Sequence, residues 1–459
     1  MVKLEKVIPN SVNFLSWEKS VKNLWRIQGR LFRATYVGDI KKALLLQKVI
    51  LYANCSRLLS IRQVTQVSSN KKISGVDGKT FMTFTERFEL SEYLKLNVNN
   101  WYPQSIKVIS LLKKEGTSFS VNVPTISDRV WQCLVSFAMQ PAHMALFHPH
   151  NFSLNTSLFD LQHLIALNLS TLADGNQKRA LVVNLEKNFS KVNVNLLLKK
   201  IVVPRCIKLG IFRSFKKGLK LEFVEFGNDI SPLNLILANI VFDGIEDLHC
   251  SFRYNSSLLY ILRPYDSELI LINKIYHFLR ISGITVPIIS FNVFSSLEGF
   301  EFLEWKFHYS LTTGSYILPS FNNYQKFLKR IKKIINNSNY GAIVKAIKLR
   351  PIVQEWKFIN KLCDMSQASY SLFYIKKRTF KIFNKETKQD TYSSKKLLDR
   401  AFPTIKEILS EKNVFNYNFC SYNTHIVFCI DSSFLTKNSY FYNNICVHCG
   451  LPIFNCINN

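Results

Sequence analysis

A single hydrophobic core stops growing at about 250 to 300 residues, so a chain of 459 residues has to divide its apolar side chains between two or three domains. The uncharged run from Ile281 to Leu297 is cut by Gly283, Pro287 and Asn292. It is too short and too broken for a membrane span, which needs about 20 apolar residues in one helix, and a soluble chain is expected. From Trp17 to Ile61, Leu24, Ile27, Leu31, Leu44, Leu45, Val49 and Tyr52 recur at helical steps, which predicts two basic helices, and the glycines of Ser74–Gly78 predict a turn. Ile106–Lys114 and Phe119–Val123 read as a hairpin, Arg179–Leu185 as a strand, Leu233–Ile245 as a buried helix, Phe252–Leu262 as a strand pair and Ile270–Ile281 as an amphipathic helix. This is an α+β pattern, not a regular βαβ alternation. Beyond Pro319, the stripe Phe321, Tyr324, Phe327, Leu328, Ile331, Ile334 and Ile335 opens a separate helical region.

Charge narrows the partner. Lysine and arginine total 60 against 31 acidic residues, a net +29 spread along the chain. Such a surface suits a polyanion, because neutralising phosphates releases their counterions. The cysteines are mostly single and far apart, unlike a secreted disulfide framework, so a reducing compartment is expected. Met1–Asn10 carries neither an apolar signal core nor an Arg/Ser-rich transit pattern. A chain working in an organelle would then be expected to be made there.

Six blocks, in order, carry a resemblance. They are Trp25–Leu31; Leu58–Thr65 followed by Gly75–Gly78; Val123-Pro-Thr-Ile-Ser-Asp-Arg-Val-Trp-Gln132 followed by Gln140-Pro141; Ile230–Leu233 with Leu237–Ile240 and Gly244–Glu246; Gly299–Leu303; and Leu349-Arg-Pro-Ile-Val-Gln-Glu-Trp356. Together they resemble the group II intron-encoded reverse transcriptase/maturase family over roughly residues 17 to 360. The resemblance implies right-hand fingers and palm followed by an all-α thumb, or maturase X, domain. Residues 1–85 would be a basic helical extension of the fingers, 86–315 a degenerate fingers and palm, 316–385 the thumb/X domain, and 386–459 a basic tail.

The departures decide the expected activity. Polymerases of this kind hold two Mg²⁺ ions on three aspartates, because hard cations need carboxylate oxygens. Asn184 stands at the first of those positions, and Tyr254-Asn255-Ser256-Ser257 replaces the family's Tyr-Ala-Asp-Asp, so Ser256 and Ser257 stand at the other two. The loop Glu225-Phe-Gly-Asn228 replaces Pro-Gln-Gly-Gly. Glu186 is the one nearby acid that could substitute as a ligand, and no acid follows Ser257 until Asp266. No catalytic residues for DNA synthesis are therefore expected. What remains is RNA binding, assigned to Arg26, Arg30 and Arg33 near the start and to Lys326, Lys329, Arg330, Lys332, Lys333, Lys345, Lys348 and Arg350 in the maturase region, with Trp356 read as core. Cys446 and Cys449, in Cys-Val-His-Cys, resemble the opening of the endonuclease module of the family and are candidate zinc ligands. The sequence stops at Asn459 before a catalytic histidine pair, so DNA cleavage is not expected. The expected partner is a structured intron RNA, with neither membrane nor small-molecule substrate, in an organelle and by resemblance the plastid. An active polymerase with unusual ligands and a general RNA chaperone are the competing expectations.

Overall fold

The computed structural model describes residues 17–404, except 69, 113–117, 155–157, 186–187, 190–191, 224–230, 285–289, 313, 366–371 and 389. The knuckle cysteines, Glu186 and the 225–228 loop thus lie outside the described residues. The architecture is α+β, built on three cores.

The first core gathers helices α1 (Trp17–Tyr36), α2 (Ile40–Tyr52), α3 (Asn54–Arg62), α4 (Phe84–Asn97) and α5 (Ile126–Leu146), with the hairpin β1 (Lys107–Leu112) and β2 (Ser118–Val123) between the last two helices. Three helices therefore occupy the stretch in which two were expected. The chain turns extended at Ala53 (ψ 131), where Arg57 Nη1 donates to the Tyr52 carbonyl at 2.7 Å, so the break is stabilised by a side chain that a local pattern does not reveal.

The block around Arg129 is explained by what its side chains hold. Thr125 caps α5 and donates to Asp128 Oδ2 at 2.7 Å; Asp128 also accepts from Trp101 Nε1 at 2.8 Å and the Gln104 amide at 3.1 Å. The Arg129 guanidinium donates to the carbonyls of Asn70 and Ile73, and Gly75 packs so closely on Thr125 that a Cβ would lie 2.8 Å from its Cα. Two motifs that are far apart in sequence thus form one joint. A second joint follows from Pro141 inside α5. Proline has no N–H, so the Phe137 carbonyl one turn earlier loses its helical donor. Gln28 of α1, fully buried, donates to that carbonyl at 2.9 Å, and Gln47 of α2 donates to the next one, Ala138, at 3.2 Å.

After α6 (Leu158–Asn168) comes the central antiparallel sheet. It comprises β3 (Arg179–Asn184), β6 (Ser251–Tyr254), β7 (Ser257–Leu262) and β8 (Ser290–Ser295), in the order β6-β7-β3-β8. Leu181 and Val183 enter the first core while Ala180 and Val182 enter the second, so both faces are covered. This is why the strand reads as an unbroken apolar run instead of alternating. Between β3 and β6 lie the two-residue pair β4 (Asn188–Phe189) and β5 (Leu221–Glu222), and helices α7 (Val194–Lys200), α8 (Arg205–Lys216) and α9 (Asn234–Val241). α10 (Glu268–Ile281) covers the sheet through Leu271, Ile275 and Leu279. The second core continues into the sheet β9 (Phe300–Phe302), β10 (Trp305–Ser310) and β11 (Gly314–Pro319).

The third core is helical: α11 (Phe321–Ile335), α12 (Ala342–Ile359), α13 (Phe373–Glu386) and α14 (Thr391–Ala401). α14 packs on α12 and α13 and buries Ala401 and Phe402, so the helical unit runs past the boundary at 385 that the sequence suggested. A polar, lysine-bearing face makes α14 read as tail. No single helix among the described residues is long and apolar enough to cross a membrane.

Candidate functional site

β3 ends at Asn184, which is paired across the sheet with Ser257 of β7 on one side and Ser290 of β8 on the other. Ser257 Oγ donates to Asn184 Oδ1 at 3.2 Å, and Asn184 Nδ2 lies 3.5 Å from Ser290 Oγ. The β6–β7 connection is the two-residue turn Asn255–Ser256, with Asn255 at φ +52, a left-handed conformation that asparagine tolerates. Its amide donates to Ser153 Oγ at 2.8 Å, and the carbonyl of the buried Ser256 accepts from the Leu185 amide at 2.9 Å. Asn184, Ser256 and Ser257, singled out in the sequence, therefore converge at one end of the sheet.

Among the described residues the donor set there is neutral. The Asn184 side-chain carbonyl accepts from Ser257, and no group of three or more His, Cys, Asp or Glu among the described residues could hold a metal. Asp266 sits at the other end of β7, bonded to His249 at 3.0 Å and to the Arg263 amide at 2.7 Å. These groups do not fit a pair of Mg²⁺ ions, which would stay in water in preference to binding amide and hydroxyl oxygens alone.

Directly behind the turn lies a charged pair missed by sequence reasoning. Arg253, fully buried, pairs with the equally buried Glu246 and donates to Asn239 Oδ1 at 2.8 Å. Tyr260 donates to the Ile245 carbonyl at 3.1 Å, and His150 Nδ1 meets the Ser251 carbonyl at 2.8 Å. Burial holds the His150 imidazolium down to about 3, so the ring is neutral, and it lifts the nearby Asp243 carboxyl to about 6. The pair ties Gly244–Glu246, part of one block that carries the family resemblance, to Phe252–Tyr254, which lead into the turn.

The basic residues divide between helices. Arg26, Arg30 and Arg33 share one exposed face of α1, opposite the buried Leu24, Gln28 and Leu31. On α11, Lys326, Lys329, Arg330, Lys332 and Lys333 are exposed, whereas Tyr324, Phe327, Ile331 and Ile335 face the core. Arg330 reaches Glu355 at 3.6 Å across an exposed pair. Trp356 is core as expected, stacked on Phe327 with ring centroids 4.2 Å apart. Lys348 is exposed and lies 4.1 Å from the Tyr340 ring centre, and Arg350 is half-buried. Lys345 corrects the sequence expectation: it is buried and paired with Glu386, because its position on α12 faces α13 and not solvent. It is not available to RNA.

The chain matches the N-terminal domain of reverse transcriptase over residues 13–94. It is also 46% identical over 450 residues to Maturase-like protein 1 of Euglena gracilis, covering 96% of each chain, and 45% identical to Maturase-like protein 1 of Euglena longa, covering 96% of this chain and 98% of that one. The chain belongs to the intron maturase/reverse transcriptase family.

Proposed function

We propose that the protein is a splicing cofactor that binds a structured group II-type intron RNA and stabilises its active fold, with the RNA itself supplying the transesterification chemistry. The observation that carries this reading is the sheet end: Ser257 closes on Asn184 through a neutral hydrogen bond, with Ser256 beside them in the turn, while cationic faces on α1 and α11 stay open to solvent. In this reading residues 86–315 correspond to fingers and palm and 316–385, extended by α14, to a thumb/X domain. Residues 1–85 add a basic extension to the fingers, and the chain beyond α14 holds a tail in which Cys446 and Cys449 are candidate zinc ligands. The name of the Euglena relatives, maturase-like, supports an intron RNA as partner, and we propose an organelle, the plastid by preference, as the compartment.

Purified protein should not extend an annealed primer with either Mg²⁺ or Mn²⁺. Templated synthesis above a heat-killed control would mean that ligands other than these three positions hold the ions, and the reading would fail.

A further inference from the structure

The charge of the chain is uneven in a way that the two helices above do not exhaust. From Lys187 to Leu221 there is no acidic residue, while Lys or Arg recurs ten times. The largest element in this stretch is α8, whose Ile207, Gly210, Ile211 and Ser214 are buried. Its outward stripe is Arg205, Leu209, Phe212 and Lys216, and Lys217 and Lys220 follow in the exposed turn beyond. Among the described side chains no carboxylate pairs with any of these cations, in contrast to Arg330 and Lys345 on the third core.

Beside this stripe stands an aromatic platform. The Arg213 guanidinium lies 3.8 Å from the Tyr102 ring centre and is locked by hydrogen bonds to Asn100 Oδ1 at 2.9 Å, the Trp101 carbonyl at 3.1 Å and the Tyr102 hydroxyl at 3.0 Å. Tyr102 remains 67% exposed. Stripe and platform share one rigid support. Gly210 lets α8 approach the Trp131 ring so closely that a Cβ would lie 2.6 Å from it, and the same Trp131 donates to the Val98 carbonyl at 3.1 Å and stacks on Trp101. Cations without counter-charges, a half-open aromatic ring and a backbone already fixed are what a single strand needs: phosphates neutralised along a track and a base stacked at one point.

We propose that the outward face of α8, with Tyr102, holds a single-stranded segment of RNA. This rests on the RNA-binding reading above and adds a third surface, distinct from α1 and α11. The test uses the full chain, with poly(U), an RNA duplex and phosphatidylserine vesicles as probes. The Arg205→Gln, Lys216→Gln, Lys217→Gln, Lys220→Gln variant, which leaves the buried face of α8 untouched, should lower the slope of log affinity against log salt for poly(U) by about 2 to 3, since each phosphate no longer neutralised removes about 0.7. Tyr102→Ala should weaken poly(U) by about tenfold and the duplex by less than about twofold, whereas Tyr102→Phe should bind as the parent does. Melting temperatures matching the parent exclude unfolding as the cause. An unchanged slope in the fourfold variant, with glutamine substitution of Lys329, Arg330, Lys332 and Lys333 on α11 still weakening RNA binding, overturns this inference and leaves the proposed function standing. Equal losses on single strand and duplex in Tyr102→Ala overturn the stacking, and so the single-strand assignment. A loss confined to phosphatidylserine vesicles would overturn it too, making α8 a membrane face instead. A parent chain that binds neither RNA overturns the underlying reading as well.

Discussion

Replacing Glu246 by glutamine should lower the stability of the fold by about 3 to 5 kcal/mol, because it leaves the Arg253 charge buried without a counter-charge. Both side chains are fully buried, and only neutral acceptors, the new glutamine oxygen and Asn239, would face the guanidinium. A neutral amide cannot offset the cost of keeping a cation out of water. Denaturant unfolding of the full chain reads the effect as a lower midpoint. Replacing Glu246 and Arg253 together by methionine should cost clearly less than the sum of the two single changes, since the double variant buries no charge. A loss under about 1 kcal/mol for Glu246→Gln would show that water reaches Arg253, and that the pair does not anchor the Tyr254–Ser257 turn.

The second large effect is on RNA. Changing Lys329, Arg330, Lys332 and Lys333 to glutamine should flatten the salt dependence of binding to a group II intron transcript by about 2 to 3 in log–log slope, and weaken affinity by well over about tenfold at physiological salt. Arg330 should contribute less than the lysines because it already meets Glu355. The buried face of α11, Tyr324, Phe327, Ile331 and Ile335, is left intact, so the helix should stay folded. An unchanged slope would reduce this face to a solubilising surface.

Local periodicity made most elements legible. β3, the β6–β7 pair, α10 and α11 lie where their patterns put them, because each buries a face whose spacing is set by one element alone. The meeting of Asn184 with Ser257 was legible only through the family resemblance, since nothing in either residue signals a partner 73 positions away. Lys345 was misread for the same reason: its charge looks like surface until Glu386, 41 residues on, is placed beside it. Gln28 carries no visible signal either. Its role exists because Pro141, on another helix, leaves a carbonyl bare. The acid-free stretch before Glu222 is readable from sequence, but which of its cations face outward depends on Gly210 seating α8 against Trp131.

A chain with a neutral sheet end and open cationic helices should serve an intron and not copy one. Crosslinking the protein to RNA in the cells that make it and sequencing the bound fragments decides the matter. Reads should concentrate on one intron or a few, with coverage falling away in the flanking exons and in ribosomal RNA. Reads spread across transcripts in proportion to their abundance would contradict this, leaving a general RNA-binding protein in place of a maturase.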